Sequence, residues 1–249
     1  MTTKRTVLLT GAAGRIGAPF ARFAAGRYDL RLADRRVPPE SAGTTSDAAW
    51  TALDVADLEA CRQACAGIDT VVHLAADPSP EADFYGSLLD NNIKGAYNIF
   101  EAAAGAGCRR VVYASSAQAV AGYPVEVQVH PDMPARPRNL YGASKCFGEA
   151  LAACFAAQRG LSCIAVRIGH YHETPPDASW TARDVSAYLS VRDCHQLLLR
   201  CIEAPGTISF AVVHGVSNNR FPLLNLSSTR TLLGYAPEDD GFAFLSLHE

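Results

Sequence analysis

The chain has 249 residues, of which 49% are hydrophobic and 19% are charged. This length and composition predict one α/β domain with a sizeable core, or one domain with a small appendage, and argue against an intrinsically disordered chain. The formal net charge of −3 argues against a nucleic-acid partner and an anionic membrane surface, since both attract clustered positive charge.

No apolar run approaches the roughly 20 residues that span a bilayer, and the short run at 7–9 leads directly into a glycine turn. We therefore expect no membrane partner and a cytoplasmic location. The eight cysteines form no CxxC motif, and no histidine lies at zinc-finger spacing from them. We interpret them as small apolar side chains in a reduced compartment and expect no metal, with a ligand pair at Cys61 and Cys65 as the alternative.

Strands and helices alternate along the first two thirds of the chain. Buried or apolar segments predict six strands, at 5–10, 30–34, 50–53, 69–75, 110–115 and 161–168. Between them we predict helices at 15–26, 57–66, 84–106 and 141–158, and loops at 37–47 and 118–138. This alternation predicts a Rossmann-type, doubly wound parallel sheet over residues 1–169, with helices on both faces.

The pattern changes after residue 169, where a polar segment containing prolines follows. Helices are predicted at 191–204 and 228–233, and a strand at 208–213. We interpret residues 170–249 as a small substrate-binding lobe over the carboxyl edge of the sheet, where ligands bind in open α/β folds.

Glycines at GxxGxxG spacing follow the first predicted strand. Gly11 would permit a tight turn, Gly14 would let the backbone approach a pyrophosphate, and Gly17 would let helix and strand pack closely. The free N–H groups of the next helix would then face the phosphates. This context predicts a dinucleotide site, and an ordinary glycine-rich turn is the alternative.

Two aspartates end predicted strands beside this turn. Asp34 can accept hydrogen bonds from both ribose hydroxyls and would repel a 2′-phosphate, which favours NAD over NADP. Arg35 and Arg36 keep NADP open, since an arginine there could pair with that phosphate. Asp54 either meets the adenine amino group or belongs to a helix cap near Asp57.

Tyr141 and Lys145 form a YxxxK motif, and their i, i+4 spacing places both side chains on one helix face. Oxidation of an alcohol requires a base for the hydroxyl proton, and a tyrosine with an ordinary pKa of about 10 is a poor one. A neighbouring ammonium stabilises the phenolate and lowers that pKa. Ser116, at the end of the fifth strand, is the predicted third member, with Ser115 as the alternative.

Several other polar residues are candidates for the site or for structural roles. Asn92 lies on the long predicted helix, either in the site or as a solvated side chain. His73 is interpreted as a hydrogen-bonded core histidine. His170 begins the substrate-side loop, where it either faces a ligand or is merely exposed. Asp77 follows the fourth strand and either faces a ligand or forms a turn. Arg183 could bind a carboxylate or phosphate with two hydrogen bonds, or be solvated.

Together these motifs resemble the extended short-chain dehydrogenases, the family of NAD-dependent epimerases and dehydratases. The matching segments are TGAAGRIG at 10–17, HLAA at 73–76, NNIKGAYN at 91–98, YASS at 113–116, YGASK at 141–145, VRIG at 166–169 and LGYAP at 233–237. The resemblance implies a bound NAD, a catalytic set of Ser116, Tyr141 and Lys145 supported by Asn92, and a homodimer formed through the two long helices. It extends the cofactor site to Ala13, Arg15, Ile16, Val55, Leu74, Ala75, Ala76, Ser115 and Ile168, and the substrate site to Asp77, Ser79, Ala117, Gln118, His170 and Arg183.

The segment at 133–152 and the VRIG motif are most similar to the uronate dehydrogenases, which oxidise the anomeric carbon of a sugar acid with NAD. Those enzymes place Asn-His where this chain has Ala117 and Gln118, and a serine where it has His170. We therefore expect an NAD-dependent oxidoreductase that acts on a sugar or sugar-acid hydroxyl. The alternatives are a nucleotide-sugar epimerase or dehydratase that retains NAD, and a non-catalytic dinucleotide-binding protein.

Overall fold

The computed structural model describes residues 4–38 and 49–245. A parallel seven-stranded sheet forms its centre, in the order β3-β2-β1-β4-β5-β6-β9. The strands are β1 (Thr6–Thr10), β2 (Asp29–Asp34), β3 (Ala49–Ala52), β4 (Thr70–His73), β5 (Arg110–Ser116), β6 (Ser162–Ile168) and β9 (Phe210–Gly215). All six strands predicted in the first two thirds of the chain are present, which confirms the doubly wound parallel sheet.

Helices cover both faces of the sheet. They are α1 (Gly17–Ala24), α2 (Leu58–Cys65), a π-helix (Phe84–Lys94) that continues into α3 (Gly95–Gly105), α4 (Leu140–Arg159), α5 (Ala182–Ser186), α6 (Val191–Glu203) and α7 (Ser227–Leu233). Short 3₁₀ helices span Ala117–Val120 and Gly241–Phe244, and a small parallel sheet pairs β7 (His170–Tyr171) with β8 (Tyr188–Leu189). Within the described ranges, no helix combines the length and apolar character needed to cross a membrane.

The alternation of side chains along each strand divides the core into two layers. In β1, Val7 and Leu9 pack in one layer, which also holds residues of α1 and α6, whereas Leu8 packs in the other with residues of α2, α3 and α4. Both faces are therefore covered, and this explains why the strands are apolar almost throughout.

The predicted division at residue 169 differs from the structure in one respect. The strand predicted at 208–213 is β9, which pairs with β6 and completes the main sheet rather than lying in a separate lobe. Buried Arg110 on β5 also donates to the carbonyls of Cys201 and Ala204, at the end of α6, at 2.9 and 2.7 Å. The C-terminal segment thus shares the central core with the rest of the sheet.

The helix predicted at 84–106 is continuous, but its first half is wound as a π-helix, with the Gly95 N–H bonded to the Asp90 carbonyl five residues earlier. Of the loop predicted at 37–47, residues 39–47 lie outside the described ranges.

Candidate active site

The turn between β1 and α1 is pressed against the end of β4. Gly11 has φ +70°, and a Cβ there would lie 2.7 Å from the Ala75 nitrogen. A Cβ on Gly17 would lie 2.1 Å from the Gly11 carbonyl oxygen, and the Gly14 N–H donates to that oxygen at 3.0 Å. Only glycine fits at positions 11 and 17, so the backbone itself forms a surface at the N-terminus of α1.

A cleft of about 850 Å³ runs along the carboxyl edge of the sheet from this turn. Most of the predicted site residues line it: Gly11, Gly14, Arg15, Ile16, Gly17, Asp34, Asp54, Val55, Leu74, Ala75, Ala76, Asp77, Ser115, Ser116, Ala117, Gln118, Tyr141, Lys145, Ile168, His170 and Arg183. The structure therefore brings the predicted cofactor residues and substrate residues into one continuous cavity. Its size and its few convergent polar groups are those of a small-molecule site.

Three predicted site residues do not line the cleft. Ala13 acts through its backbone, whose N–H donates to an Asp34 carboxylate oxygen at 3.0 Å. Ser79 is exposed in a turn, where its N–H donates to Asp77 and its hydroxyl accepts from Glu81. Asn92 is buried behind the cleft wall. Turn formation by Asp77 thus occupies the backbone N–H of Ser79, while its neighbours Pro78 and Pro80 line the cleft.

The tyrosine and the lysine are presented by α4. Asn139 caps this helix by accepting from the Gly142 N–H at 2.7 Å, so the regular turn begins in time to place Tyr141 and Lys145 on the same face. The Lys145 ammonium donates to the Ala114 carbonyl at 2.8 Å and lies 5.6 Å from the centre of the Tyr141 ring. The ammonium is therefore held beside the ring on which a phenolate would form.

Burial shifts the pKa values of both groups away from the charged form. The pKa of Tyr141 is raised by burial, a hydrogen bond with Ser116 opposes that rise, and the charge of Asp77 adds to it. Burial also lowers the pKa of Lys145 to about 8. A buried ammonium that still holds its proton at neutral pH is suited to stabilising a negative charge next to it.

The two serines at the end of β5 point in different directions. Ser116 lies within hydrogen-bonding reach of Tyr141, and its hydroxyl also accepts from the Gln118 N–H at 3.1 Å. Ser115 instead donates to buried Glu149 at 2.5 Å, and Glu149 is bonded twice to Arg167, both at 2.9 Å. Since successive residues of a strand face opposite sides, Ser116 is the hydroxyl that meets the tyrosine.

Asn92 links two walls of the cleft. Its amide donates to the Ser144 hydroxyl at 2.9 Å and to the Asp77 carbonyl at 3.1 Å, and it accepts from the Asp77 N–H at 2.8 Å. Ser144 in turn donates to the Tyr141 carbonyl at 2.7 Å. With 2% of its surface exposed, Asn92 is a structural support of α4 rather than a solvated helix residue.

Of the remaining polar candidates, His73 supports the core, whereas His170 and Arg183 line the cleft. His73 is buried and accepts from or donates to Thr10 at 2.7 Å, while burial and the charge of Lys145 lower its pKa to about 3; it is the neutral core histidine that was predicted. His170 stacks on Trp180 with ring centres 4.3 Å apart at the open end of the cleft. Arg183 donates to the Ala121 carbonyl at 3.3 Å.

Sequence reasoning missed part of the cleft lining. The Asn91 amide donates to the carbonyl and the hydroxyl of Ser87 at 3.0 and 3.1 Å, and Arg35 donates to the Asn91 oxygen at 3.4 Å. The i, i+4 spacing of Ser87 and Asn91 on a helix that starts beside the site was a usable signal. The other missed residues include Pro80, Ala121, Tyr171, Asp184, Ala187 and Leu223. Among the described residues, no cluster of His, Cys, Asp and Glu could hold a metal ion.

A parallel sheet, a glycine turn at its carboxyl edge and a Tyr–Lys–Ser cluster in the same cleft define a dinucleotide-binding oxidoreductase fold. The model of the family described as "NAD dependent epimerase/dehydratase family" matches residues 7–176. The chain belongs to this family, as its sequence motifs predicted.

Individual relatives agree over nearly the whole chain. An NAD-dependent glucose-6-phosphate dehydrogenase of Haloferax volcanii is 36% identical, over 96% of this chain and 95% of the relative. A uronate dehydrogenase of Agrobacterium fabrum is 37% identical, over 96% of this chain and 87% of the relative. The crystal structure of uronate dehydrogenase from Agrobacterium tumefaciens is 35% identical with a TM-score of 0.87, over 96% and 86% of the two chains. The predicted similarity to uronate dehydrogenases is confirmed, and a sugar-phosphate enzyme is similar to the same degree.

Proposed function

We propose that this protein is an NAD-dependent oxidoreductase that oxidises the anomeric hydroxyl of a sugar or sugar acid. The main support for the proposal is that Tyr141, Lys145 and Ser116 line the same cleft as the glycine turn. The relatives support the substrate class, because they include dehydrogenases of glucose 6-phosphate, L-arabinose and uronates.

The residues around the turn fit a bound NAD. Gly11 and Gly17 leave no room for side chains, so a pyrophosphate can approach the backbone N–H groups at the start of α1. The carboxylate of Asp34 is held at the end of β2 by the N–H groups of Ala13 and Arg36, at 3.0 and 3.2 Å. In that place it can accept from ribose hydroxyls and repels a 2′-phosphate, which favours NAD.

The chemistry divides between cofactor and protein. NAD, when bound, supplies the hydride acceptor. Ser116 holds the sugar oxygen by a hydrogen bond. The ionised form of Tyr141, a phenolate, accepts the proton of the sugar hydroxyl, and the Lys145 ammonium stabilises this phenolate. Asn92 keeps α4 and the loop at Asp77 in register, so that the distance between Tyr141 and the substrate is maintained.

The sugar would lie between the catalytic residues and the open end of the cleft. Gln118 is oriented there by Asn139, whose amide donates to it at 3.1 Å, and Asp77, Ala117 and His170 complete the walls. Arg183 stands at the same end, where a guanidinium can bind an anionic group of the substrate.

We further propose a homodimer and a cytoplasmic location. Tyr97 on α3 and Phe147 on α4 expose 45% and 37% of their surfaces, and large apolar side chains on two neighbouring long helices favour association. All eight cysteines are free thiols, which suits a reducing compartment.

Incubation with NAD and a panel of aldoses, aldose phosphates and uronates tests the proposal through the absorbance of reduced nicotinamide. Net reduction of NAD by at least one of these sugars is expected. A protein that interconverts nucleotide sugars without net reduction would instead be an epimerase. A protein that binds NAD but acts on no sugar, and is unaltered by Tyr141→Phe, would be a non-catalytic binder.

A further inference from the structure

A second cavity opens beside the substrate end of the cleft. It measures about 600 Å³ and is bounded by the segments at 122–125 and 136–138. Arg183 lines both this cavity and the cleft, and Ala121 of the cleft wall directly precedes Gly122 of the second cavity. The two spaces are therefore neighbours that share Arg183 as part of their walls.

The second cavity is strongly positive. Arg136, Arg138 and Arg183 contribute to its lining, and no carboxylate does. None of these arginines takes part in an ion pair within residues 4–38 and 49–245, whereas surface residue Arg192 pairs with both Glu238 and Asp239. Three guanidinium groups without a protein counter-charge around one space favour an anion there.

Local hydrogen bonds hold this cavity in shape. The Arg136 backbone donates to the Ala119 carbonyl at 2.8 Å and accepts from the Gly122 N–H at 2.7 Å. The guanidinium of Arg136 lies 5.4 Å from the Tyr123 ring, and the hydroxyl of Tyr123 donates to the Pro134 carbonyl at 2.9 Å. Such preorganisation reduces the entropy that is lost when an anion binds.

The position of the cavity relative to Ser116 determines what could bind. The 3₁₀ helix from Ala117 to Val120 joins Ser116 to Ala121, and at about 2 Å of rise per residue this span is roughly 10 Å. The phosphate of a hexose 6-phosphate lies closer to the anomeric carbon than this, and the long, flexible arginine side chains can span the remaining distance. A single arginine can satisfy both oxygens of a carboxylate, whereas a phosphate monoester has three free oxygens and two negative charges, which suit three guanidinium groups.

We infer that the cavity lined by Arg136, Arg138 and Arg183 binds the phosphate monoester of a sugar-phosphate substrate. The inference rests on the proposed dehydrogenase function and narrows its substrate class. The sugar ring then lies in the cleft with its anomeric hydroxyl at Tyr141 and Ser116, and the phosphate at the far end of the sugar lies among the arginines.

A kinetic comparison tests the inference with glucose 6-phosphate, glucose and glucuronate as probes. We expect kcat/KM for glucose 6-phosphate to exceed that for each other sugar at least tenfold, and to fall steeply with added salt because exposed charges are screened. The double variant Arg136→Gln/Arg138→Gln should reduce this preference about tenfold or more. Arg62→Gln, a change of an exposed arginine on α2, should leave the preference unaltered. Equal kcat/KM values, a preference for glucuronate, or an unaltered preference in the double variant would overturn the inference.

A binding measurement separates this inference from the dehydrogenase function. Calorimetry with 1,5-anhydroglucitol 6-phosphate and 1,5-anhydroglucitol, which lack an anomeric hydroxyl, requires no turnover. Tighter binding of the phosphate by the wild-type protein, lost in the double variant, supports the cavity as a phosphate site even if no sugar is oxidised. Equal binding of the two analogues refutes the cavity's role, even if sugars are oxidised.

Discussion

Replacement of Lys145 by methionine should stabilise the fold while removing activity. The pKa of Lys145 is about 8 against an ordinary value of 10.5, and burial is the cause. Since a tenfold change in an acid dissociation constant corresponds to about 1.4 kcal/mol, the buried ammonium costs about 3 kcal/mol at neutral pH. Methionine has a similar volume and no charge, but it leaves the Ala114 carbonyl without its donor, at a cost of about 1–2 kcal/mol. A net gain of about 1–2 kcal/mol is expected.

The gain in stability of Lys145→Met over the wild type should shrink as the pH rises. Between pH 8 and pH 10.5 the unfolded chain holds a proton on Lys145 that the folded chain has released, so the wild-type free energy of unfolding rises through this window. The advantage of Lys145→Met should therefore be full below pH 8. At pH 10.5 the burial penalty of the wild type has almost disappeared, so only the lost hydrogen bond to Ala114 remains and the variant should be about 1–2 kcal/mol less stable than the wild type.

Urea unfolding of both proteins at pH 7 and pH 10.5 measures this difference. Lys94→Met is the matched control: Lys94 is 54% exposed and pairs with Asp90 at 2.7 Å, so its loss should cost no more than about 0.5 kcal/mol at pH 7. A Lys145→Met protein that is less stable than the wild type at pH 7, or whose gain is the same at both pH values, would refute the assignment of burial as the cause.

Three further changes test the surroundings of the site. Gly17→Ala should lower the free energy of unfolding by about 1–3 kcal/mol and weaken NAD binding, because the added Cβ overlaps the turn. Gly105→Ala is the control: Gly105 has open space around it, so this change should be neutral or slightly stabilising in thermal unfolding of both variants. Glu149→Gln should cost about 3–5 kcal/mol in urea titrations, because Arg167 then remains buried without a counter-charge; a change below 1 kcal/mol would contradict this. Asp34→Ala should raise the ratio of kcat/KM for NADP to that for NAD about tenfold or more, and an unaltered ratio would remove Asp34 from cofactor selection.

The fold could be predicted largely because its signals are local. Buried parallel strands are apolar throughout, and the glycine turn and the i, i+4 pair at Tyr141 and Lys145 depend only on their own elements. The pairing of β9 with β6 is not local, because strand order arises from packing between distant segments. This is why a sequence pattern that correctly located the strand did not show that it completes the main sheet.

In the candidate site, too, the sequence predicts features with local signals but not contacts between distant segments. The choice of Ser116 over Ser115 was predicted, but its reason, the commitment of Ser115 to Glu149, is a contact between elements far apart in the chain. The arginine cavity lies partly in the loop at 118–138, which has four prolines and no periodicity, so nothing in the sequence indicated which of its side chains converge. Ser79 stays a prediction, because a turn at Asp77 cannot be distinguished by sequence from a ligand contact and the N–H of Ser79 takes part in that turn.

In the proposed reaction Tyr141 accepts the proton of the sugar hydroxyl while hydride leaves the anomeric carbon. The most direct measurement supplies NAD and an aldose substrate carrying deuterium at that carbon, and determines the deuterium content of the reduced cofactor by mass spectrometry. We expect deuterium in the reduced cofactor formed by the wild-type protein, and a rate about 10²–10⁴-fold lower for Tyr141→Phe, which keeps its fold and NAD affinity. Transfer at the wild-type rate by Tyr141→Phe, or reduced cofactor without deuterium, would contradict it.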